Sequence, residues 1–129
     1  MNRLNSVENI EIPLKNNFSI DKNKILSLSS VKTKVLFLCS PNNPTGNSFD
    51  INDLNDLIKD FKGIVVVDEA YYEYAKVITQ EYPDSIRMNY SNVLTLRTFS
   101  KAYGLAGMRV GYAMGPVDLI EPLMRVKLT

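Results

Sequence analysis

The chain has 129 residues, a formal net charge of +1 and an apolar content of 45%. These values are typical of one globular domain with a packed core. The charged residues form no basic block, so nucleic acid is not an expected partner, because phosphate contacts need clustered lysine and arginine. No apolar run approaches the ~20 residues that cross a membrane, and the N-terminus lacks a signal-peptide segment. We therefore expect a cytoplasmic protein without a membrane partner.

Two residue types restrict the possible chemistry. The sequence contains no histidine, which excludes Ser-His-Asp and Cys-His catalysis and every histidine-ligated metal site. It contains one cysteine, Cys39, which excludes an internal disulfide and a cysteine cluster for zinc or iron–sulfur. Cys39 ends an apolar run, where a small buried side chain is expected rather than a reactive thiol. No metal site is expected, and any chemistry falls to lysine, tyrosine, aspartate or a bound cofactor.

The first third of the chain predicts two strands. Apolar residues alternate over residues 9–14, which predicts a short strand ended by a proline. The polar stretch that follows predicts at most a short helix after Asp21. The continuous apolar run of residues 35–39 is typical of a strand buried on both faces of a parallel sheet. It ends at a turn, residues 40–46, that contains two prolines and a glycine.

The clearest helix follows this turn. Apolar residues fall on one helical face over residues 51–61, Asp50 is placed to cap the N-terminus, and Gly63 follows the end. The run of residues 64–67 predicts a second buried strand. It leads directly to the carboxylate of Asp68.

The last third of the chain predicts two more strands and a helix. Residues 72–89 have a mixed pattern without a clear element. Residues 93–96 and 110–114 predict strands on either side of the loop around Lys101. Residues 118–128 predict a final helix, in which we expect Pro122 to cause a kink or a late start.

This alternation predicts an α/β fold built on a mostly parallel, layered sheet. In such sheets ligands bind beyond the carboxyl ends of the strands. Three successive strand ends carry unusual polar residues, namely Asn43, Asp68 and Lys101. Taken singly, each has a structural interpretation: a turn asparagine, a helix-capping aspartate and a solvated lysine.

Taken together, these residues suit one kind of ligand. Asn43 and Tyr71 can donate hydrogen bonds to a phenolate-like oxygen, and Asp68 can pair with a cation that offsets its burial. Lys101 supplies an amine that can form an imine with a carbonyl. Thr98, Ser100 and Arg109 can gather around a phosphate, with arginine able to bind it through two bonds. These requirements describe pyridoxal 5′-phosphate, whose protein signature is a Schiff-base lysine and an acidic partner of the pyridine nitrogen.

Four blocks of sequence resemble those of the class I/II, fold-type-I aminotransferases. The blocks are Ser40 to Gly46 (Ser-Pro-Asn-Asn-Pro-Thr-Gly), Asp68 to Tyr71 (Asp-Glu-Ala-Tyr), Thr98 to Lys101 (Thr-Phe-Ser-Lys) and Arg109. Asn43, Asp68, Lys101 and Arg109 are separated by 25, 33 and 8 residues. The resemblance implies the three-layer fold of the large domain of a pyridoxal-phosphate-dependent transferase.

The same resemblance implies a role for each candidate residue. Lys101 corresponds to the Schiff-base residue and Asp68 to the partner of the pyridine nitrogen. Asn43 and Tyr71 correspond to the donors to the ring hydroxyl. The expected phosphate ligands are Thr98, Ser100 and Arg109.

The amino-acid sequence within the blocks is most similar to that of histidinol-phosphate aminotransferases. It is shared with threonine-phosphate decarboxylases and with aromatic and other class I/II aminotransferases, which remain alternatives. The resemblance implies a small-molecule amino donor and a 2-oxo acid as substrates. It also implies a homodimer for the full-length protein.

Relatives of this kind are close to three times as long, so the resemblance implies that residues 1–129 are a partial cofactor-binding large domain. An upstream segment and the small C-terminal domain would then lie outside it, leaving an unpaired sheet edge and uncovered apolar faces. The chain on its own could therefore be a non-catalytic structural piece. A phosphate-loop nucleotide binder is disfavoured because neither G-x-x-x-x-G-K-[ST] nor G-x-G-x-x-G occurs.

Overall fold

The computed structural model describes residues 7–79, 82 and 89–126. Strands and helices alternate along most of the chain. The strands are β1 (Val35–Cys39), β2 (Ile64–Asp68), β3 (Val93–Thr98) and β4 (Gly111–Met114). The helices are α1 (Lys22–Leu28), α2 (Ile51–Asp60), α3 (Tyr72–Ile78) and α4 (Val117–Val126), with a short 3₁₀ turn at Ala106–Met108.

The four strands form one mixed sheet in the order β1-β2-β3-β4. β1, β2 and β3 run parallel, and β4 pairs antiparallel with β3. Cys39 pairs in register with Asp68, and Asp68 pairs with Leu96. The carboxyl ends of the three parallel strands therefore meet at one edge, as the alternation of elements predicted, and the α/β class is confirmed.

Helices α1 and α2 cover one face of this sheet. Leu57 and Val65 are 0% exposed, and Ile58 and Val67 are 1% exposed. Because side chains alternate across a strand, Val65 and Val67 point toward α2 while Val66 and Asp68 point to the opposite face. The main core of the described residues thus lies between the sheet and these two helices.

The predicted second helix forms as expected. Asp50 caps it, since its carboxylate accepts hydrogen bonds from the backbone N–H groups of Asn52 and Asp53 over 2.8 and 3.2 Å. Beyond its end, a Cβ at Gly63 would lie 2.5 Å from the carbonyl oxygen of Lys34. Only glycine allows the chain to enter β2 so close to the backbone that precedes β1.

The opposite face is open at β1, which is an edge strand within the described part of the chain. Phe37 points to that face and is 71% exposed, and Val35 is 41% exposed. The expected uncovered apolar surface is therefore observed. An exposed strand edge carries unpaired backbone groups, and another segment or chain can pair with them.

Two predicted elements differ from the structure. Residues 9–14 form no strand; Ile12 and Leu14 pack against the core, so the alternation reflects burial of an extended segment without a partner ladder. The last helix includes Pro122 and does not start late. Proline removes only one backbone N–H group from the helix. The carbonyl group that this N–H would have bonded belongs to Asp118, which is exposed, so the loss is tolerated.

Two further features were not predicted. Helix α3 occupies Tyr72–Ile78, where the sequence pattern was mixed. β4 begins at Gly111 and runs antiparallel to β3, a direction that periodicity does not report. Among the described residues, no helix has the length and apolar character needed to cross a membrane.

Candidate active site

The turn after β1 is held in a compact loop by its own hydrogen bonds. The backbone N–H of Asn42 donates to the carbonyl of Asn47 over 2.8 Å, and that of Gly46 donates to the carbonyl of Asn42 over 2.7 Å. The buried hydroxyl of Ser40 accepts from the N–H of Phe49 over 3.1 Å. The peptide bonds before Pro41 and Pro44 are cis. This loop presents Asn43 at the carboxyl edge of the sheet.

Asn43, Tyr71 and Lys101 come together at this edge. The amide of Asn43 donates a hydrogen bond of 3.0 Å to the hydroxyl of Tyr71. The Lys101 amine lies 5.1 Å from the centroid of the Tyr71 ring. A cation over an aromatic face at this distance is weakly attracted to it. Tyr71 therefore lies next to both Asn43 and Lys101, which were predicted from separate blocks, and the Lys101 side chain is exposed.

Asp68 lies at the end of β2 beside Cys39. Its Oδ1 accepts a hydrogen bond of 3.0 Å from the backbone N–H of Ala70, which starts the turn leading to Tyr71. Burial raises the pKa of the Cys39 thiol, the backbone N–H of Asn43 opposes that shift, and the charge of Asp68 adds to it. The thiol is half-buried and donates to the carbonyl of Pro41 over 3.4 Å. The thiol is thus less buried than the sequence predicted, and its low reactivity stays a prediction.

The loop after β3 carries the predicted hydroxyls and the lysine. The backbone N–H of Ser100 donates to the hydroxyl of Thr98 over 3.1 Å, and this hydroxyl donates to the carbonyl of Val110 over 3.3 Å. A turn then closes from the N–H of Gly104 to the carbonyl of Lys101 over 3.0 Å. Gly104 has a φ of +67°, a conformation that favours glycine.

Arg109 lies just before β4 with a φ of +53°. Its Nη1 donates to the carbonyl of Ala106 over 3.1 Å, so the guanidinium folds back on the preceding turn. The residue and its side chain are exposed. The structure thus places Arg109 beyond the Lys101 loop, and within the described residues its hydrogen bond goes to Ala106 rather than to Thr98 or Ser100.

An open cleft of about 250 Å³ lies between the Asn43 loop and α3. Both Asn43 and Tyr71 line it, together with Tyr74 and Ile78. The cleft is mainly apolar and has amide groups on one side. It therefore lies next to the Asn43–Tyr71 hydrogen bond.

Sequence reasoning missed an ion pair on the other face of the same edge. Arg97 donates to Glu69 over 2.8 Å, and Tyr72 packs on the guanidinium. A signal for the pair was present in the sequence. Glu69 and Arg97 are charged residues at the ends of two apolar runs, but only the pairing of β2 with β3 makes them neighbours on the face opposite Asp68.

The whole chain matches one protein family. The family model "Aminotransferase class I and II" matches residues 1–129. This chain therefore belongs to the class I and II aminotransferase family, as the four sequence blocks suggested.

Curated relatives carry two kinds of name. A histidinol-phosphate aminotransferase of Methanocaldococcus jannaschii is 47% identical over 113 residues, which cover 85% of this chain and 29% of the relative. One of Flavobacterium psychrophilum is 43% identical over 124 residues, which cover 96% of this chain and 35% of the relative. An aromatic amino acid aminotransferase of Nocardia farcinica is 41% identical over 123 residues, which cover 92% of this chain and 34% of the relative. The chain thus spans about a third of the length of these relatives.

Solved structures of aminotransferases share the fold. A mutant of the Thermus thermophilus aspartate aminotransferase has a TM-score of 0.74 at 28% identity, covering 87% of this chain and 32% of that one. A second structure is the histidinol-phosphate aminotransferase of Sinorhizobium meliloti, solved in complex with pyridoxal 5′-phosphate. It has a TM-score of 0.76 at 24% identity, and the match covers 92% of this chain and 32% of that one. The sheet and helices described above match part of these larger chains.

Proposed function

We propose that this chain is the cofactor-binding part of a pyridoxal-phosphate-dependent aminotransferase. The observation that carries the proposal is the meeting of Asn43, Tyr71 and Lys101, through contacts of 3.0 and 5.1 Å, at the carboxyl edge of the sheet. Membership of the aminotransferase family supports it.

The residues present fit this cofactor by their chemistry. Asn43 and Tyr71 offer an amide and a phenol that already share one hydrogen bond, so both can be directed to one ring oxygen. Asp68 offers a carboxylate that is half-buried at the end of β2, which suits a protonated ring nitrogen. Thr98 and Ser100 offer hydroxyls suited to a phosphate.

Arg109 would add a guanidinium to the phosphate site. In the structure this group bonds to the carbonyl of Ala106. Because this hydrogen bond is exposed to solvent, replacing it by a hydrogen bond to a phosphate oxygen costs little free energy. We assign Arg109 to the phosphate on this ground and on the resemblance to the family.

When bound, the cofactor supplies an electron sink for a negative charge at the α-carbon of the substrate. Lys101 would hold the cofactor through its amine, and the same amine could move a proton at the α-carbon of the substrate. Asp68 would pair with the ring nitrogen, while Asn43 and Tyr71 would hold the ring oxygen. These side chains would thus orient the cofactor, and Lys101 alone among them would transfer a proton.

We further propose L-histidinol phosphate as the amino donor and 2-oxoglutarate as the acceptor in the full-length protein. Two relatives named for histidinol phosphate, at 43 and 47% identity, support this choice. An aromatic amino acid is the second candidate donor, favoured by the relative at 41% identity. We also propose a cytoplasmic homodimer, on the basis of membership of this family.

The first experiment asks whether Lys101 holds the cofactor. The 129-residue chain is incubated with pyridoxal 5′-phosphate, treated with borohydride to fix any lysine-bound cofactor, and mapped by peptide mass spectrometry. The same is done with a chimera, in which this chain replaces the matching segment of the Methanocaldococcus jannaschii relative. We expect modification of Lys101 in the chimera, well above that of the exposed surface lysines.

The Lys101→Ala chimera is the control. It should lose the visible absorbance of the lysine-bound cofactor, whereas Lys59→Ala, a change on the exposed side of α2, should retain it. Persistence of that absorbance in the Lys101→Ala chimera would refute the assignment. Trapping on Lys101 in the chain alone would refute the view that the isolated chain is a purely structural piece.

A second experiment concerns the donor. The full-length protein that contains this chain is assayed with 2-oxoglutarate and either L-histidinol phosphate or L-phenylalanine. We expect the larger kcat/KM with L-histidinol phosphate. A larger value with L-phenylalanine would favour the aromatic aminotransferase, and release of carbon dioxide from a phosphorylated amino acid would favour the decarboxylase.

A further inference from the structure

A buried ion pair joins the ends of β2 and β3 on the face opposite Asp68. Arg97 donates through Nε and Nη2 to a single oxygen of Glu69, over 2.9 and 2.8 Å. The side chains of Arg97 and Glu69 are 10% and 2% exposed. Charges removed from water to this extent persist only when paired and hydrogen-bonded, so the geometry of the pair is strongly constrained.

An aromatic ring completes the pair. The guanidinium carbon of Arg97 lies 3.5 Å from the centroid of the Tyr72 ring, and Tyr72 is 5% exposed. Stacking on a ring while donating two hydrogen bonds requires the planar guanidinium, which lysine cannot imitate. The position of Arg97 is therefore fixed by shape as well as by charge.

Each member of this group is covalently next to a residue of the candidate active site. Glu69 follows Asp68, and Arg97 precedes Thr98. Successive side chains point to opposite faces of a strand, so the pair lies behind the site while its neighbours face it. Because the backbone links each member of the pair directly to a site residue, a shift of the pair is expected to displace the site as well.

We propose that Glu69 and Arg97 are positioning residues, which set the distance between Asp68 and the segment from Thr98 to Lys101. The purpose of that distance rests on the proposed function: Asp68 would hold a ring nitrogen at one end, and the segment from Thr98 to Lys101 would hold a phosphate and supply the lysine at the other.

The same buried group reaches the end of β1. Tyr72 meets the ring of Tyr82 edge-on, with centroids 5.7 Å apart. The hydroxyl of Tyr82 lies 3.3 Å from that of Ser40, which in turn accepts from the N–H of Phe49. Ser40 begins the loop that carries Asn43. The ends of all three parallel strands are thus joined behind the site.

The location of the pair separates positioning from general stability. Apolar side chains such as Val65, Val67 and Val93 already hold the middle of the strands together. The ion pair lies at their ends, beside the buried rings of Tyr72 and Tyr82, where the loops of the site begin. Loosening it should therefore open the loops before it opens the strands.

The test measures local opening by amide hydrogen exchange on the 129-residue chain. Arg97→Lys keeps the charge but removes the planar stack, and Glu69→Gln keeps the size but removes the charge. For both variants we expect about tenfold faster exchange in segments 68–71 and 98–101, with little change in segment 64–67. The matched control is Arg125→Lys, because Arg125 pairs with Glu121 on α4 and both side chains are largely exposed. This variant should not change the exchange rate of either segment.

Equal acceleration of all three segments would identify the pair as merely structural and overturn the inference, as would no acceleration at all. If Arg97→Lys unfolds the chain, the milder Glu69→Gln decides, and unfolding by both variants also overturns it. The exchange readout involves no cofactor. Failure of Lys101 to hold pyridoxal 5′-phosphate would therefore refute the proposed function while leaving the exchange result to be judged separately.

Discussion

The side-chain amide of Asn43 lies 3.0 Å from the hydroxyl of Tyr71, although 28 residues separate the two in the chain. Asn43 belongs to the loop after β1, and Tyr71 to the turn after β2. The hydrogen bond therefore couples two strand ends on the side of the sheet where Lys101 lies. It also orients both donors before any ligand binds, which lowers the entropy lost on binding.

This coupling predicts non-additive effects on cofactor affinity. In the Methanocaldococcus jannaschii chimera, Asn43→Ala and Tyr71→Phe should each weaken binding of pyridoxal 5′-phosphate about tenfold, the effect of losing one hydrogen bond to a charged oxygen. The double variant should lose less than the product of the two, because each single change already disturbs the other donor. Absorbance titration measures the dissociation constants.

Tyr74→Phe is a control for the Tyr71 change, because Tyr74 is 50% exposed and lies on α3 at the outer side of the cleft. It should leave the dissociation constant unchanged. Strictly additive losses for Asn43→Ala and Tyr71→Phe would mean that their hydrogen bond does not matter for the cofactor.

The Cys39 thiol should react slowly in the folded chain. Burial raises its pKa, with a further contribution from the charge of Asp68, so less thiolate is present at pH 8. We expect alkylation by iodoacetamide to be roughly tenfold slower than in the urea-unfolded chain. The rate should increase as the pH rises above the ordinary thiol pKa. Mass spectrometry of timed samples measures it.

Asp68→Asn provides a matched variant for the thiol. It removes the negative charge and keeps the size, so the pKa of Cys39 should fall and alkylation should become faster. The burial contribution remains, and the rate should stay below that of the unfolded chain. Equal rates in folded and unfolded chains would contradict the half-buried position of Cys39.

Tyr82 should make the fold sensitive to alkaline pH. Burial raises the pKa of its phenol above the ordinary value, the hydrogen bonds with Ser40 and Ser48 oppose this shift, and the charge of Glu69 adds to it. The folded state therefore prefers the neutral phenol. Its stabilising contribution is complete below a pH of about 10 and is lost as the pH rises through the raised pKa.

Urea unfolding at pH 8 and at pH 11 measures this loss. The Tyr82→Phe variant has no phenol to ionise at this position. Its urea midpoint should therefore decrease less between pH 8 and pH 11 than the midpoint of the parent chain. Tyr103→Phe, at a residue that is 52% exposed, is the control and should decrease as much as the parent. Parallel curves for Tyr82→Phe and the parent would contradict the prediction.

The cap of α2 should contribute measurably to stability. Asp50→Ala removes an acceptor that bonds the N–H groups of Asn52 and Asp53, and should lower the free energy of unfolding by about 1 kcal/mol. Asp50→Asn retains a capping oxygen and should be close to neutral. Urea unfolding at neutral pH distinguishes the two; an equal loss in both would point to charge rather than capping.

Local sequence patterns were sufficient for much of the fold. Continuous apolar runs identified β1 and β2, as for strands covered on both faces, but the expected burial of both faces of β1 was wrong within the described residues, since Phe37 is 71% exposed. Spacing and a capping residue identified α2, and Asp21 preceded the short helix α1. Asn43, Asp68 and Lys101 were found because they lie at or shortly after the ends of three strands, where α/β sheets bind ligands, and within blocks that resemble those of a known family.

Other features depended on partners distant in the chain. Residues 9–14 have a strand-like pattern, yet a strand also needs a neighbouring ladder, and the described residues provide none for them. The contact of Lys101 with Tyr71 and the Glu69–Arg97 pair join residues about 30 positions apart. Periodicity reports which face of an element is buried, but not what covers it.

The sequence by itself thus determined the α/β class and the chemical groups of the site. The tertiary structure alone decided which groups meet, because strand order and register bring the ends of β1, β2 and β3 to one edge. It also decided which residues lie behind that edge. Alternation along each strand separates Asp68 from Glu69, and only the pairing of β2 with β3 places Glu69 against Arg97.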